Sequence, residues 1–228
     1  MVERALRWNI GTGVWKPGEA LPSERDLAAQ LGVGRSTLRA AIETLRAEGL
    51  LVTSTGRNGR TRLAEPKPSG GTESLKPEAR QDILHYFELR YAVEPMAAGL
   101  AAQRGTTKDF DRLRDILLQE VTNVRSYRAL NSQFHIAVAE ASGNPLIRNV
   151  VAELCAGFFS WADALTTDDA TPGDFAEAHR PIYESLMTRN TAGAHDLVTA
   201  HLDEARNWYL ERFDSVARNG HSTSSRDG

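Results

Sequence analysis

A single cysteine, Cys155, stands in 228 residues. It has no partner for an intramolecular disulfide, so apolar burial and hydrogen bonding must hold the fold. Such sparing use of cysteine suits a reducing compartment, and Cys155 reads as a small buried apolar residue. No apolar run approaches the roughly 20 residues that cross a bilayer, and the opening stretch MVERALRWNIG has no signal-peptide pattern. A cytoplasmic protein with no membrane partner is therefore expected. Strand-like alternation is scarce too. With 41% hydrophobic and 25% charged residues, the composition excludes a disordered chain. An excess of positive charge is also missing: the net charge is −3, which taken alone argues against a nucleic-acid partner.

The distribution of charge says otherwise. Residues 1–66 carry 10 Lys and Arg against 7 Asp and Glu, whereas the remainder carries 17 against 23. A basic N-terminal part on an acidic bulk implies two modules, because DNA responds to the local field. Between them, Pro66–Pro77 holds three prolines, two adjacent glycines and one large apolar residue. That composition cannot build a core and reads as a linker over 67–77. Beyond it, apolar residues recur at helical spacing near 79–103, 107–125, 126–142, 144–166, 174–189 and 191–215. The chain is thus mainly α: an N-terminal module over 1–66, an all-helical module over 78–216, and a polar tail over 217–228 expected to be disordered.

In the first module two helical patterns are separated by only Gly32-Val33-Gly34. Ser23 is placed to cap the first, with Glu24 and Asp26 in its opening turn, where the helix dipole favours acids. Leu27, Ala28 and Leu31 give that helix its buried stripe. Leu38, Ala41, Ile42 and Leu45 give one to the second, which Gly49 ends. Arg35, Ser36, Thr37 and Arg39 are left projecting from the second helix's first turns. This is a helix-turn-helix pattern, whose second helix enters the major groove N-terminus first. Arginine can donate two bonds to guanine, while hydroxyls and free helix N–H groups suit phosphates or base edges. Leu50–Ser54 then reads as a strand, Gly56–Gly59 as a turn and Arg60–Leu63 as the return. That hairpin makes a wing with Arg57 and Arg60 at its tip. A solvated basic surface is the plainer reading of any one arginine. Six arginines against two acids in residues 35–62 favour DNA.

The second module carries three histidines in apolar surroundings, His135, His179 and His201. Asn131 lies four residues before the first, on the same helical face. Three imidazoles suit a zinc or nickel ion and leave room for an exogenous oxygen ligand. A lone histidine on an apolar face is more often a hydrogen-bonded core residue, however, and spacing alone does not bring the three together. His85, His195 and His221 fall outside the arrangement.

Three stretches, Gly18–Ala28, Leu31–Ala41 and Leu45–Leu50, resemble the winged-helix domain of GntR-type bacterial transcription regulators. Glu88–Pro95, Phe134–Leu146 and the surroundings of His179 and His201 resemble the all-helical FCD effector domain of the FadR subfamily. The resemblance implies DNA contacts from Arg25, Arg35, Thr37, Arg39, Gly56 and Arg57. It also implies a divalent metal held by Asn131, His135, His179 and His201, and a ligand-pocket arginine at Arg90 that can clamp a carboxylate. Two positions depart from the family pattern. Gly34 stands where Ser or Thr is usual, removing a hydroxyl. Asn131 stands where Asp is common, lowering the site's negative charge by one.

The expectation is a homodimeric transcription regulator, a repressor, binding double-stranded operator DNA under control of a small carboxylate effector. One alternative is a metal-dependent hydrolase on the three histidines. It lacks a general base, since Glu140 lies five residues past His135 and not in a His-Glu-x-x-His motif. Another is an architectural DNA-binding dimer with no effector.

Overall fold

Two apolar cores, each built from its own stretch of sequence, divide the chain into the units Met1–Pro68 and Ser69–Gly228. In the computed structural model, residues 2–11, 14–15, 18–53, 60–64, 78–157, 162, 165–167, 171 and 173–223 are described.

The first unit comprises α1 (Val2–Gly11), α2 (Glu24–Leu31), α3 (Arg35–Ala47), β1 (Leu51–Thr53) and β2 (Thr61–Leu63). Ser23 caps α2, its hydroxyl accepting from the Asp26 N–H at 3.2 Å. Gly32 closes the helix in the left-handed region at φ 63°, where a side chain is disfavoured. Leu38, Ala41, Ile42 and Leu45 of α3 are buried in one cluster with Leu27, Ala28, Leu6 and Trp15. Gly49, at φ 76°, ends α3. Its N–H donates to Arg46 O and that of Leu50 to Leu45 O, both at 2.9 Å, which is a Schellman ending. The strands pair antiparallel, Leu51 opposite Leu63. A third extended piece flanks β2: the Gly18 N–H donates to Leu63 O at 2.9 Å and the Leu21 N–H to Thr61 O at 2.8 Å. The wing turn with Gly56 and Arg57, and the linker expected over 67–77, lie outside the described residues.

In the second unit every element among the described residues is a helix: α4 (Ala79–Arg104), α5 (Thr107–Leu117), α6 (Val124–Ala141), α7 (Pro145–Gly157), α8 (Phe175–Met187) and α9 (Thr191–Thr223). Capping boxes start α5 at Thr106 with Asp109 and α6 at Asn123 with Ser126. The second explains why α5 stops at Leu117 and not near 125: Asn123 commits the chain to a new helix. α9 lies along α4 and against α8, and α6 packs on α4, α5 and α7. Their shared core holds Phe87, Leu113, Phe134, Phe175, Ile182 and Leu202. The end of α9 differs from expectation. The tail over 217–228 was to be structureless, yet the helix continues to Thr223. No proline interrupts 216–223, and an established helix gains one backbone hydrogen bond for each residue added.

Candidate functional site

The helices of the second unit bring the three histidines together. His135 lies on α6, His179 on α8 and His201 on α9, and their ligating nitrogens all fall within 4.8 Å of one another. His135 Nε2 and His201 Nε2 are 3.3 Å apart. His135 and His179 are buried and His201 half-buried.

What surrounds the rings decides which nitrogens face inward. His135 Nδ1 lies 2.8 Å from Glu94 Oε2. Burial alone would raise the Glu94 carboxyl, but Arg90 and His135 hold it down to about 2. It is therefore a carboxylate, Nδ1 must carry the proton, and Nε2 keeps its lone pair. His179 Nδ1 lies 2.7 Å from the Phe175 carbonyl. A carbonyl can only accept, so Nδ1 again donates. His179 Nε2 is then a buried acceptor with no hydrogen-bond partner among the described residues, a condition that costs about 1–3 kcal/mol if nothing satisfies it. Burial depresses the pKa of all three rings, His179 to about 3. At neutral pH they are uncharged imidazoles, the form that ligates metals.

This donor set fits a divalent ion. Two imidazoles are oriented through Nδ1 by a carboxylate and a backbone carbonyl, the support that metal-binding histidines receive, and the orphaned Nε2 of His179 is aimed at its neighbours. An ion held there would supply fixed positive charge and an open coordination position. Asn131 is half-buried and lines a cavity of about 30 Å³ beside His201, together with Arg90, Arg128 and Tyr209.

Glu94 escaped the sequence reading. Its spacing from Arg90, four residues on one helix, has the look of an exposed ion pair, whereas both side chains are almost fully buried. Arg90 Nε donates to Glu94 Oε1 at 2.5 Å and Nη2 to Oε2 at 3.1 Å. One edge of the guanidinium expected to clamp an effector is thus already matched by a carboxylate. Of the other histidines, His85 bonds Gln81 and His195 bonds Asp196; the His221 side chain is outside the described residues.

In the first unit, Arg35, Ser36, Thr37 and Arg39 are all exposed at the start of α3. That first turn holds no acid, and Gly34 provides no side-chain cap. The free N–H groups and the helix dipole therefore present positive potential outward. Arg39 Nη2 bonds Glu24 Oε2 at 2.8 Å. Arg25 is exposed on α2 beside Asp26, at 3.2 Å. Arg25, Arg35, Arg46 and Arg60 line one groove of about 620 Å³ between the helices and the hairpin, with Glu24 and Glu43 also in its wall.

Residues 1–59 match the gntR family of bacterial regulatory proteins, and residues 85–204 match the FCD domain. The chain belongs to the GntR family. This GntR-family chain is 32% identical over 155 residues to the HTH-type transcriptional repressor NanR of Cronobacter sakazakii, covering 64% of the chain and 59% of that relative. It therefore spans about three fifths of that relative's length. It is 31% identical over 213 residues to a putative L-lactate dehydrogenase operon regulatory protein of Escherichia coli, covering 86% of the chain and 80% of the relative. Its fold is shared with E. coli McbR/YncC, at a TM-score of 0.59 and 20% identity over 93% of this chain and 96% of that one. Both sequence relatives carry the names of regulators and neither that of an enzyme, which leaves the hydrolase alternative without support. Glu140, five residues past His135, is paired with Arg112 and Arg148 and is not held as a base at the histidines.

Proposed function

We propose that the chain is a homodimeric repressor of the FadR subfamily that binds pseudo-palindromic operator DNA and releases it when a small organic acid binds at the three histidines. Arg35 and Arg39 read guanines in the major groove, Ser36, Thr37 and the α3 N-terminus hold phosphates, and Arg25 with Gly56 and Arg57 of the wing secure the flanks. Glu24 already orders the Arg39 guanidinium, so less side-chain freedom is lost when it meets a base. In the second unit His135, His179, His201 and Asn131 hold a divalent ion, zinc or nickel. Arg90 and Glu94 orient His135.

The observation that carries the effector half is the buried, orphaned Nε2 of His179 facing two other neutral imidazoles. Asn131 contributes no charge, so the ion's attraction for an anion is undiminished by a fourth, anionic ligand.

Elemental mass spectrometry of untagged protein, beside His135→Ala, tests this. Near-stoichiometric metal, lost in the variant, is the expected result. No metal after loading with zinc and nickel would sink the metal-linked mechanism. Operator binding that no organic acid alters would favour the architectural dimer.

A further inference from the structure

We propose that the outward face of α4 is the surface on which two copies of this chain meet, packed antiparallel about a two-fold axis at Val93. This rests on the homodimeric reading above and gives that dimer its place.

α4 is apolar on two sides. Ile83, Phe87, Ala98 and Ala101 belong to the core of the second unit. A second apolar set, Leu89, Ala92, Val93, Met96 and Leu100, recurs at intervals of three, one, three and four residues, the spacing of one helical stripe. None of the five is buried, and Leu89 and Met96 are 47% and 57% exposed. A helix apolar on both sides is normally an inner helix, yet the described residues leave this outer stripe open to solvent. α7, which packs on α4, also turns Leu146 and Val150 outward. Exposed apolar surface of this kind marks contact with another molecule.

Charge at the two ends of the stripe points to the partner. Asp82 and Arg104 are both exposed, and the helical repeat sets them on the same side as Leu89 and Leu100. They stand 11 residues before and 11 residues after Val93, about 16 Å each way along the axis. A two-fold axis at Val93 turns the helix end for end and lays each Asp82 beside the partner's Arg104. Leu89 then meets Met96, so the middle of this isologous contact is apolar and its ends are ion pairs. Ala92, small and next to the axis, lets the two backbones approach. A parallel arrangement would instead set acid on acid and base on base. One N–H of the Arg104 guanidinium holds Ser142 O at 3.2 Å, which steadies the side chain and leaves it further donors. A partner of different sequence gives no reason for acid and base to stand equidistant from the stripe's centre.

Sedimentation equilibrium of the full chain tests this. The wild type is expected as a dimer at micromolar concentration. Met96→Glu, at a position already exposed, should raise the dimer dissociation constant at least tenfold. Leu118→Glu, 72% exposed at the end of α5, should leave it unchanged. Asp82→Arg should weaken the dimer severalfold by setting like charges together, and adding Arg104→Asp should restore it. Far-UV circular dichroism checks that each variant is folded. A wild-type dimer that Met96→Glu leaves intact, or that both glutamates weaken alike, would place the contact elsewhere and leave the homodimeric reading standing. An Asp82→Arg variant that dimerises as before, or a double variant that regains nothing, would overturn the antiparallel two-fold. A monomeric wild type overturns the homodimer itself and leaves the stripe to a partner of different sequence.

Discussion

Glu94 illustrates how one carboxylate can govern a site it does not line. Placed between Arg90 and His135, it keeps the first paired and the second in its metal-binding tautomer. Orienting groups of this kind typically change metal affinity 10- to 100-fold. Glu94→Gln is expected to weaken zinc by about that factor, measured by competition with a chromogenic chelator; Glu88→Gln, exposed on the same helix, should leave zinc unaffected. Zinc held equally by both variants would deny Glu94 its orienting role. Gly34 is the opposite case, a residue whose side chain is missed. Its backbone is ordinary, φ −68° and ψ 147°, and a Cβ there would meet nothing nearer than 3.8 Å. Serine therefore fits and supplies the absent N-cap. Gly34→Ser should stabilise the first unit by a few tenths to about 1 kcal/mol. Chemical denaturation followed by tryptophan fluorescence, to which Trp8 and Trp15 of the first unit contribute beside Trp161 and Trp208, measures this, and a lower midpoint for the first unit's transition would show that the cap is not formed.

At the scale of elements, the boundaries of α2 and α3 were legible because single residues set them: Ser23 as cap, Gly32 and Gly49 at positive φ. The buried stripe of α3 was legible because its period is that of the helix. Three other features were not. The extended piece at 18–21 pairs with β2 through a single bridge and three backbone bonds, so no alternation marks it. The stop of α5 depended on Asn123 and Ser126 capping each other, a reciprocal bond that neither residue announces alone. The meeting of the histidines depends on how α6, α8 and α9 pack, which no spacing within one helix encodes. The exposed face at the start of α3, by contrast, follows from its stripe: what is not buried on the first turns is Arg35, Ser36, Thr37 and Arg39. If the arginines read bases, Arg35→Ala and Arg39→Ala should each cost about 1–3 kcal/mol at the operator. Fluorescence anisotropy against a selected operator measures it, with a scrambled duplex as control. Unchanged affinity in both variants would remove α3 as the reading helix.

On the scale of the whole molecule, a regulator must let one unit's ligand change the other unit's affinity, and thermodynamics fixes the form of that coupling. If an acid weakens operator binding by some factor, the operator must weaken acid binding by the same factor. The two apolar cores share no residue, so removing a group from the histidine cluster should leave the DNA-reading unit intact. His179 is well suited to the test, because its Nε2 satisfies nothing else among the described residues. His179→Ala is therefore expected to bind operator with wild-type affinity in the absence of acid, and to lose most of the response when an acid that shifts the wild type is added. Typical couplings of 1–3 kcal/mol make that response about 5- to 150-fold in the wild type, large enough to resolve in a single titration series. A mutant that responds as fully as the wild type would separate the histidine cluster from regulation. One that no longer binds operator without acid would mean that metal binding holds the DNA-competent state together, and the acid would then act by competing with that role instead of adding to it.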